Sequence, residues 1–256
     1  MLRGFYVPAG RRCQRTQSAV YWFTFEPTEE SEDSMRTKLA DRELPDYTRS
    51  EEIFNMVSHI AGGAFAVAAL ALCVIKAAVS GNVWGIVSGA VYGVTMVVLY
   101  CMSSIYHGLK PSLGKKVLQV LDHCSIYFMI AGTYTPIVLC AIRPLYPVLA
   151  WSIFGVEWAL TALAVTLTAI DLKEFRIFSM VCYILMGWGI VFVFPYAVRA
   201  LTSAGFWLLL SGGFAYTIGA VLYGIGSKKR WFHCLFHVFV LAGSILQFVS
   251  IYLYTM

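Results

Sequence analysis

From about residue 55 onward, apolar residues run in long stretches separated by short polar gaps. A helix needs about 20 apolar residues to cross the hydrocarbon core of a bilayer. Seven stretches reach that length, centred near Leu70, Thr95, Ile130, Glu157, Met186, Tyr216 and Phe239. The pattern predicts an all-α, polytopic membrane protein. Seven transmembrane helices occupy residues 47–256, and residues 1–46 form a leader read as disordered.

Composition agrees with this reading. Apolar residues make up 59% of the chain and charged residues 13%, and the mean hydropathy is +0.71. A soluble domain of this size needs far more polar surface. The charges crowd the first 52 residues and the gaps between apolar runs.

Those gaps also predict an orientation. The loops after the second, fourth and sixth spans carry Lys110, Lys115, Lys116, Lys173, Arg176, Lys228, Lys229 and Arg230. The opposite loops carry only Lys76, Arg143 and Arg199. Basic loops stay on the cytoplasmic side. The N-terminus is therefore expected inside and the C-terminus outside, which an odd number of spans requires.

The net charge of +5 comes from loop anchors, with no basic helix or aromatic-interleaved patch, so no nucleic-acid partner is expected. Seven cysteines without a C-x-x-C pair read as small apolar residues of a bundle rather than as disulfides. No apolar core of signal-peptide length follows the N-terminal arginines, so no cleaved signal is expected. Two readings of residues 1–34 stand side by side. They are a basic, aromatic tail lying on the membrane surface, or they are not native and translation starts at Met35.

The chemistry gathers in one layer. His59, His107, His123, His233 and His237 all fall at the expected cytoplasmic ends of their spans, and Glu52, Asn55, Ser103 and Asp122 share that depth. Ionisable groups at membrane depth are costly and usually functional. A spacing of four puts His233 and His237 on one helical face, as a two-histidine metal clamp requires. His107 can come from another helix as a third ligand. Three neutral histidines hold zinc in a tetrahedral site with one position left for water. The competing reading has the same rings bonding backbone carbonyls or lipid phosphates.

Asp122 is a candidate catalytic base or acid beside such a site, or a carboxylate favoured by a helix N-terminus. Ser103 shares a face with His107, as a catalytic candidate or as small-residue packing. Glu52, Asn55 and His59 share one face of the first span, where they could support the metal ligands or cap the helix mouth. His123 follows Asp122 directly, points about 100° away, and is left out of the ligand set. Glu157 is the one deep charge elsewhere. Gly85, Gly89 and Gly93 predict a close helix contact, and Pro136 and Pro195 predict kinks.

Taken together, these motifs resemble the hemolysin III family, the bacterial branch of the progestin and adipoQ receptor (PAQR) group of seven-helix proteins. The resemblance covers roughly Tyr47 to Tyr254. The opening Glu-x-x-Asn-x-x-x-His is Glu52, Asn55 and His59; the Ser-x-x-x-His is Ser103 and His107. The aspartate of the third span is Asp122, and the closing His-x-x-x-His is His233 and His237.

The resemblance implies a zinc ion on His107, His233 and His237, with Asp122 holding its water. It also implies a bacterial inner membrane and a membrane lipid as substrate or ligand. Two functions from different classes follow. One is a zinc-dependent hydrolase of lipid amides or esters. The other is a non-enzymatic protein, either a pore-forming hemolysin or a receptor or transporter with structural zinc. The short loop between His107 and Asp122 departs from the receptor branch, so hormone binding is not implied.

Overall fold

The structure is a computed structural model that describes residues 38–226 and 229–256. The expectations for residues 1–34 and for Lys228 lie outside the described residues. After a 3-10 turn at Leu39–Asp41 come α1 (Arg49–Val79), α2 (Val83–Gly108), α3 (Leu113–Pro136), α4 (Pro147–Ile170), α5 (Arg176–Trp188), α6 (Phe194–Gly226) and α7 (Phe232–Tyr254).

Local sequence sets most of the helix starts. Thr48 caps α1 in a capping box with Glu51, Asn82 caps α2 through Gly85 N–H at 2.9 Å, and Ser112 caps α3 through Lys115 N–H at 3.2 Å. Each side-chain oxygen satisfies an amide that the first helical turn leaves open. Pro147 begins α4, where its missing N–H removes no helical bond.

Six helical runs are long and apolar enough to cross a membrane. One of them, Arg176–Gly226, spans 51 residues and contains α5, a 3-10 turn at Gly189–Val193, and α6. As continuous α-helix it would be about 75 Å long, more than twice the hydrocarbon thickness. The run is broken at Thr202, whose φ of 64° and ψ of 166° leave the helical region. The expected kink at Pro195 falls between the 3-10 turn and this break. Pro136 closes α3, which continues as a π-helical turn, Ile137–Ile142.

Outward-facing positions are apolar, as lipid contact demands. Val79, Val148 and Phe192 are each more than four-fifths exposed. Because lipid is as apolar as leucine, helix association depends on close fit rather than on water exclusion. The Gly85, Gly89 and Gly93 row supplies that fit against α1. A Cβ on Gly93 would lie 2.5 Å from the Cβ of Leu70, and one on Gly85 would lie 2.8 Å from that of Ala77. With its π-helical turn, α3 is the most enclosed element: 72% of its most apolar stretch is buried, against 17% for the run 176–226.

The residues before α1 lie across the ends of other helices. Lys116 Nζ donates to the Ala40 carbonyl, and Arg42 donates to the Ile170 carbonyl at the end of α4, at 2.9 Å. Glu51 then fastens α1 to α7: its Oε1 accepts the Trp231 N–H at 2.6 Å. Trp231 has a φ of 66° and stands immediately before α7. This bond sets the first turn of α7, with its histidines, beside the first turns of α1.

Candidate metal centre

Two helices deliver three imidazoles to one point. His107 lies in the last turn of α2, and His233 and His237 in the first two turns of α7. All three are buried. His233 Nε2 is 3.4 Å from His107 Nε2 and 3.0 Å from His237 Nε2. The ligand atoms of the trio all lie within 4.8 Å of one another, so the group could hold a metal ion. Nitrogens bound to one tetrahedral zinc at 2.0–2.1 Å stand about 3.3 Å apart, which these separations approach.

Proton counting supports the same conclusion. Glu52 Oε2 lies 2.6 Å from His107 Nδ1. An ionised carboxylate only accepts, so this bond puts the ring proton on Nδ1 and leaves the His107 Nε2 lone pair facing the other two rings. One N–H on His233 Nε2 cannot serve both of its nitrogen neighbours. A cation at the centre would satisfy all three lone pairs. The carboxylate behind His107 is the arrangement that fixes tautomer and ring direction in histidine metal sites.

Glu52 does not act alone. Its Oε1 accepts Lys115 Nζ at 2.6 Å, and Lys115 also donates to the Leu109 carbonyl at 2.9 Å. One carboxylate thus joins α1 to the end of α2 and the start of α3.

Asn55 and His59 continue the same face of α1 inward and are both buried. The His59 ring lies against His237, with centroids 3.8 Å apart, and edge-on to Tyr100 at 5.1 Å. Both amide atoms of Asn55 and both ring nitrogens of His59 lack a hydrogen-bond partner among the described residues, as do His233 Nδ1 and His237 Nδ1. Buried polar atoms of this kind normally meet water or a ligand.

Asp122, on α3, and Ser103, on α2, come together. Asp122 stands outside the converging trio. His123 turns away from it, bonding the Gln119 carbonyl at 2.8 Å and the Tyr223 hydroxyl at 3.2 Å.

Three contributors escaped sequence reasoning. Tyr47, just before α1, stacks on His233 with centroids 4.8 Å apart and planes 22° apart. Burial, with the nearby Tyr223, Glu52 and Asp122, pushes its hydroxyl well above the usual phenol range, so Tyr47 stays a neutral donor. Lys115 was read only as a loop charge. Glu51 carried a legible signal, since Thr48-x-x-Glu51 is a capping box, but nothing local announces its reach to Trp231.

Glu157 lies far from this layer in sequence depth, near the middle of α4. It is buried, and its Oε2 lacks a partner among the described residues. A Cβ on Gly189 would stand 3.4 Å from Glu157 Oε1 and 3.2 Å from the Tyr134 hydroxyl, so these two side chains meet over the bare backbone of the 3-10 turn. The Tyr134 hydroxyl also accepts the Ile190 N–H at 2.7 Å.

Comparison with known proteins shows the family. The family model described as "Haemolysin-III related" matches residues 47–248. Hemolysin-3 of Bacillus cereus is 34% identical over 206 residues, covering 80% of this chain and 92% of that protein. The Hemolysin-3 homolog of Bacillus subtilis (strain 168) is 35% identical over 208 residues, covering 81% and 96%. The human Monocyte to macrophage differentiation factor is 24% identical over 184 residues, covering 68% and 73%.

Proposed function

The chain belongs to the haemolysin III-related family, and from that premise we propose that it is a seven-span membrane protein that hydrolyses lipid amides or esters at a zinc ion held by His107, His233 and His237. The observation that carries the reading is the convergence of three imidazole Nε2 atoms, with a carboxylate behind one of them.

Two spans are assigned to the run 176–226, divided at Thr202, because one span cannot use 51 residues. The loop charges favour a metal site near the cytoplasmic face with the C-terminus outside, and the Bacillus relatives favour a bacterial inner membrane.

Zinc in such a site supplies Lewis acidity, polarising a carbonyl and activating water. The chain's own residues do the rest. Glu52 Oε2 keeps the proton on His107 Nδ1. The Asp122 carboxylate accepts the proton of the attacking water and returns it to the leaving group. Ser103 orients that carboxylate. Tyr47 covers His233 and limits access of bulk water from the end of the bundle. The substrate arrives from the surrounding bilayer.

The name of the Bacillus cereus relative favours a second reading, cytolysis by pore formation. A pore calls for polar side chains along whole spans. Here the buried histidines and the charged groups beside them gather at one end of the bundle, which supports a site over a channel.

Metal analysis of purified protein, paired with a screen of lipid amides and esters, tests the proposal. About one zinc per chain is expected, by analogy with three-histidine sites. Full zinc occupancy in the triple alanine variant of His107, His233 and His237 would overturn it. Turnover absent over a wide lipid panel would leave the non-enzymatic reading.

A further inference from the structure

Lys115 stands in the first turn of α3, where sequence alone places a solvated loop charge, yet it is only 3% exposed. Each feature around its ammonium is an acceptor. Glu52 Oε1 is 2.6 Å away, the Leu109 carbonyl 2.9 Å, and the Tyr106 ring centroid 5.1 Å. An ammonium has three N–H donors and no acceptor, so this environment matches it in number and kind. Tyr106 immediately precedes His107, and Leu109 is the capping residue just after α2. The lysine therefore grips the terminal turn that carries His107 and, at the same time, the carboxylate that His107 uses as its acceptor.

We infer that Lys115 is a positioning residue of the metal site: it holds the Glu52 carboxylate in the orientation that aims His107 Nε2 at His233 and His237. The inference rests on the metal reading given above. Its physical basis is a rotational one. A carboxylate bonded only to His107 can swing about its own side-chain torsions and drag the ring with it. A second bond of 2.6 Å to its other oxygen removes that freedom. The Leu109 contact ties the same lysine to the helix end, so ring, carboxylate and backbone move as one unit. Outer partners of this sort commonly change metal affinity about 10–100-fold.

The test is zinc affinity of the purified full chain, measured by chelator competition, for the parent and for Lys115→Met, Glu52→Gln and the double variant. Lys115→Met should bind zinc about 10–100-fold more weakly. In the Glu52→Gln background the same change should add little, because the lysine acts through Glu52. Lys115→Gln retains a donor arm, should fall between, and serves if the methionine variant does not fold. The visible spectrum of the cobalt-substituted protein should change in Lys115→Met, as expected if the His107 ligand is misaligned. Parent-like zinc affinity in Lys115→Met, or fully additive losses in the double variant, would overturn the inference while leaving the metal site in place. A parent protein that binds no zinc would instead remove the metal reading on which it rests.

Discussion

Two parts of the bundle place polar side chains in an apolar interior, and they do so differently. At the end where α1 and α7 begin, the polar groups arrive together. Three imidazoles converge, Glu52 bridges His107 and Lys115, and Asp122 has Ser103. At the middle of α4, Glu157 meets a tyrosine hydroxyl over the backbone of a 3-10 turn, and its Oε2 has no hydrogen-bond partner among the described residues. Taking a charge out of water costs several kcal/mol unless it is paired or neutralised. The first region meets that cost by pairing Glu52 with Lys115 and His107, and its three imidazoles could hold a cation. Among the described residues no basic side chain pairs with Glu157, so a neutral, protonated carboxyl is the form that fits its surroundings.

The difference yields predictions that grade from large to small. Replacing His237 with Ala should remove most of the bound zinc, whereas Glu157→Gln should leave zinc content unchanged; equal losses in both would erase the distinction between the regions. Asp122→Asn comes next. It keeps size and much of the hydrogen bonding but removes the base, so lipid hydrolysis should fall about 10²–10⁴-fold with zinc largely retained. Unchanged hydrolysis with unchanged zinc would take Asp122 out of the mechanism.

A smaller effect is expected for Glu157→Gln on stability. Because glutamine resembles a protonated carboxyl, thermal or denaturant unfolding should shift by less than about 1 kcal/mol. A larger loss would mean that Glu157 is ionised and paired in the membrane. The smallest effect belongs to residues 1–34. Deleting them should change neither membrane insertion nor zinc content, since no site residue lies there; loss of insertion would make the leader a working part.

Much of this was legible in the chain itself. The helical runs follow from apolar length, because the bilayer sets a fixed thickness to be crossed. The common depth of the histidines follows from counting along the spans, and the pairing of His233 with His237 follows from helical period. A close helix contact was announced by the Gly85, Gly89 and Gly93 row, and the structure supplies α1 as the partner, where only a missing side chain admits Leu70 and Ala77 so near.

What the tertiary structure alone decided is which of these groups meet. Depth is a one-dimensional quantity that sequence carries, but partner choice depends on how each helix is rotated and against which neighbour it packs. That rotation made Glu52, and not the adjacent Glu51, the acceptor for His107, while Glu51 turned to Trp231. It brought Tyr47 over His233 and drew Lys115 out of solvent, although neither residue carries a local signal for those roles. It also put the break of the run 176–226 at Thr202 rather than at Pro195, the one proline of that run. Helix rotation is fixed by contacts between side chains far apart in sequence, and so it could be read only from the folded bundle.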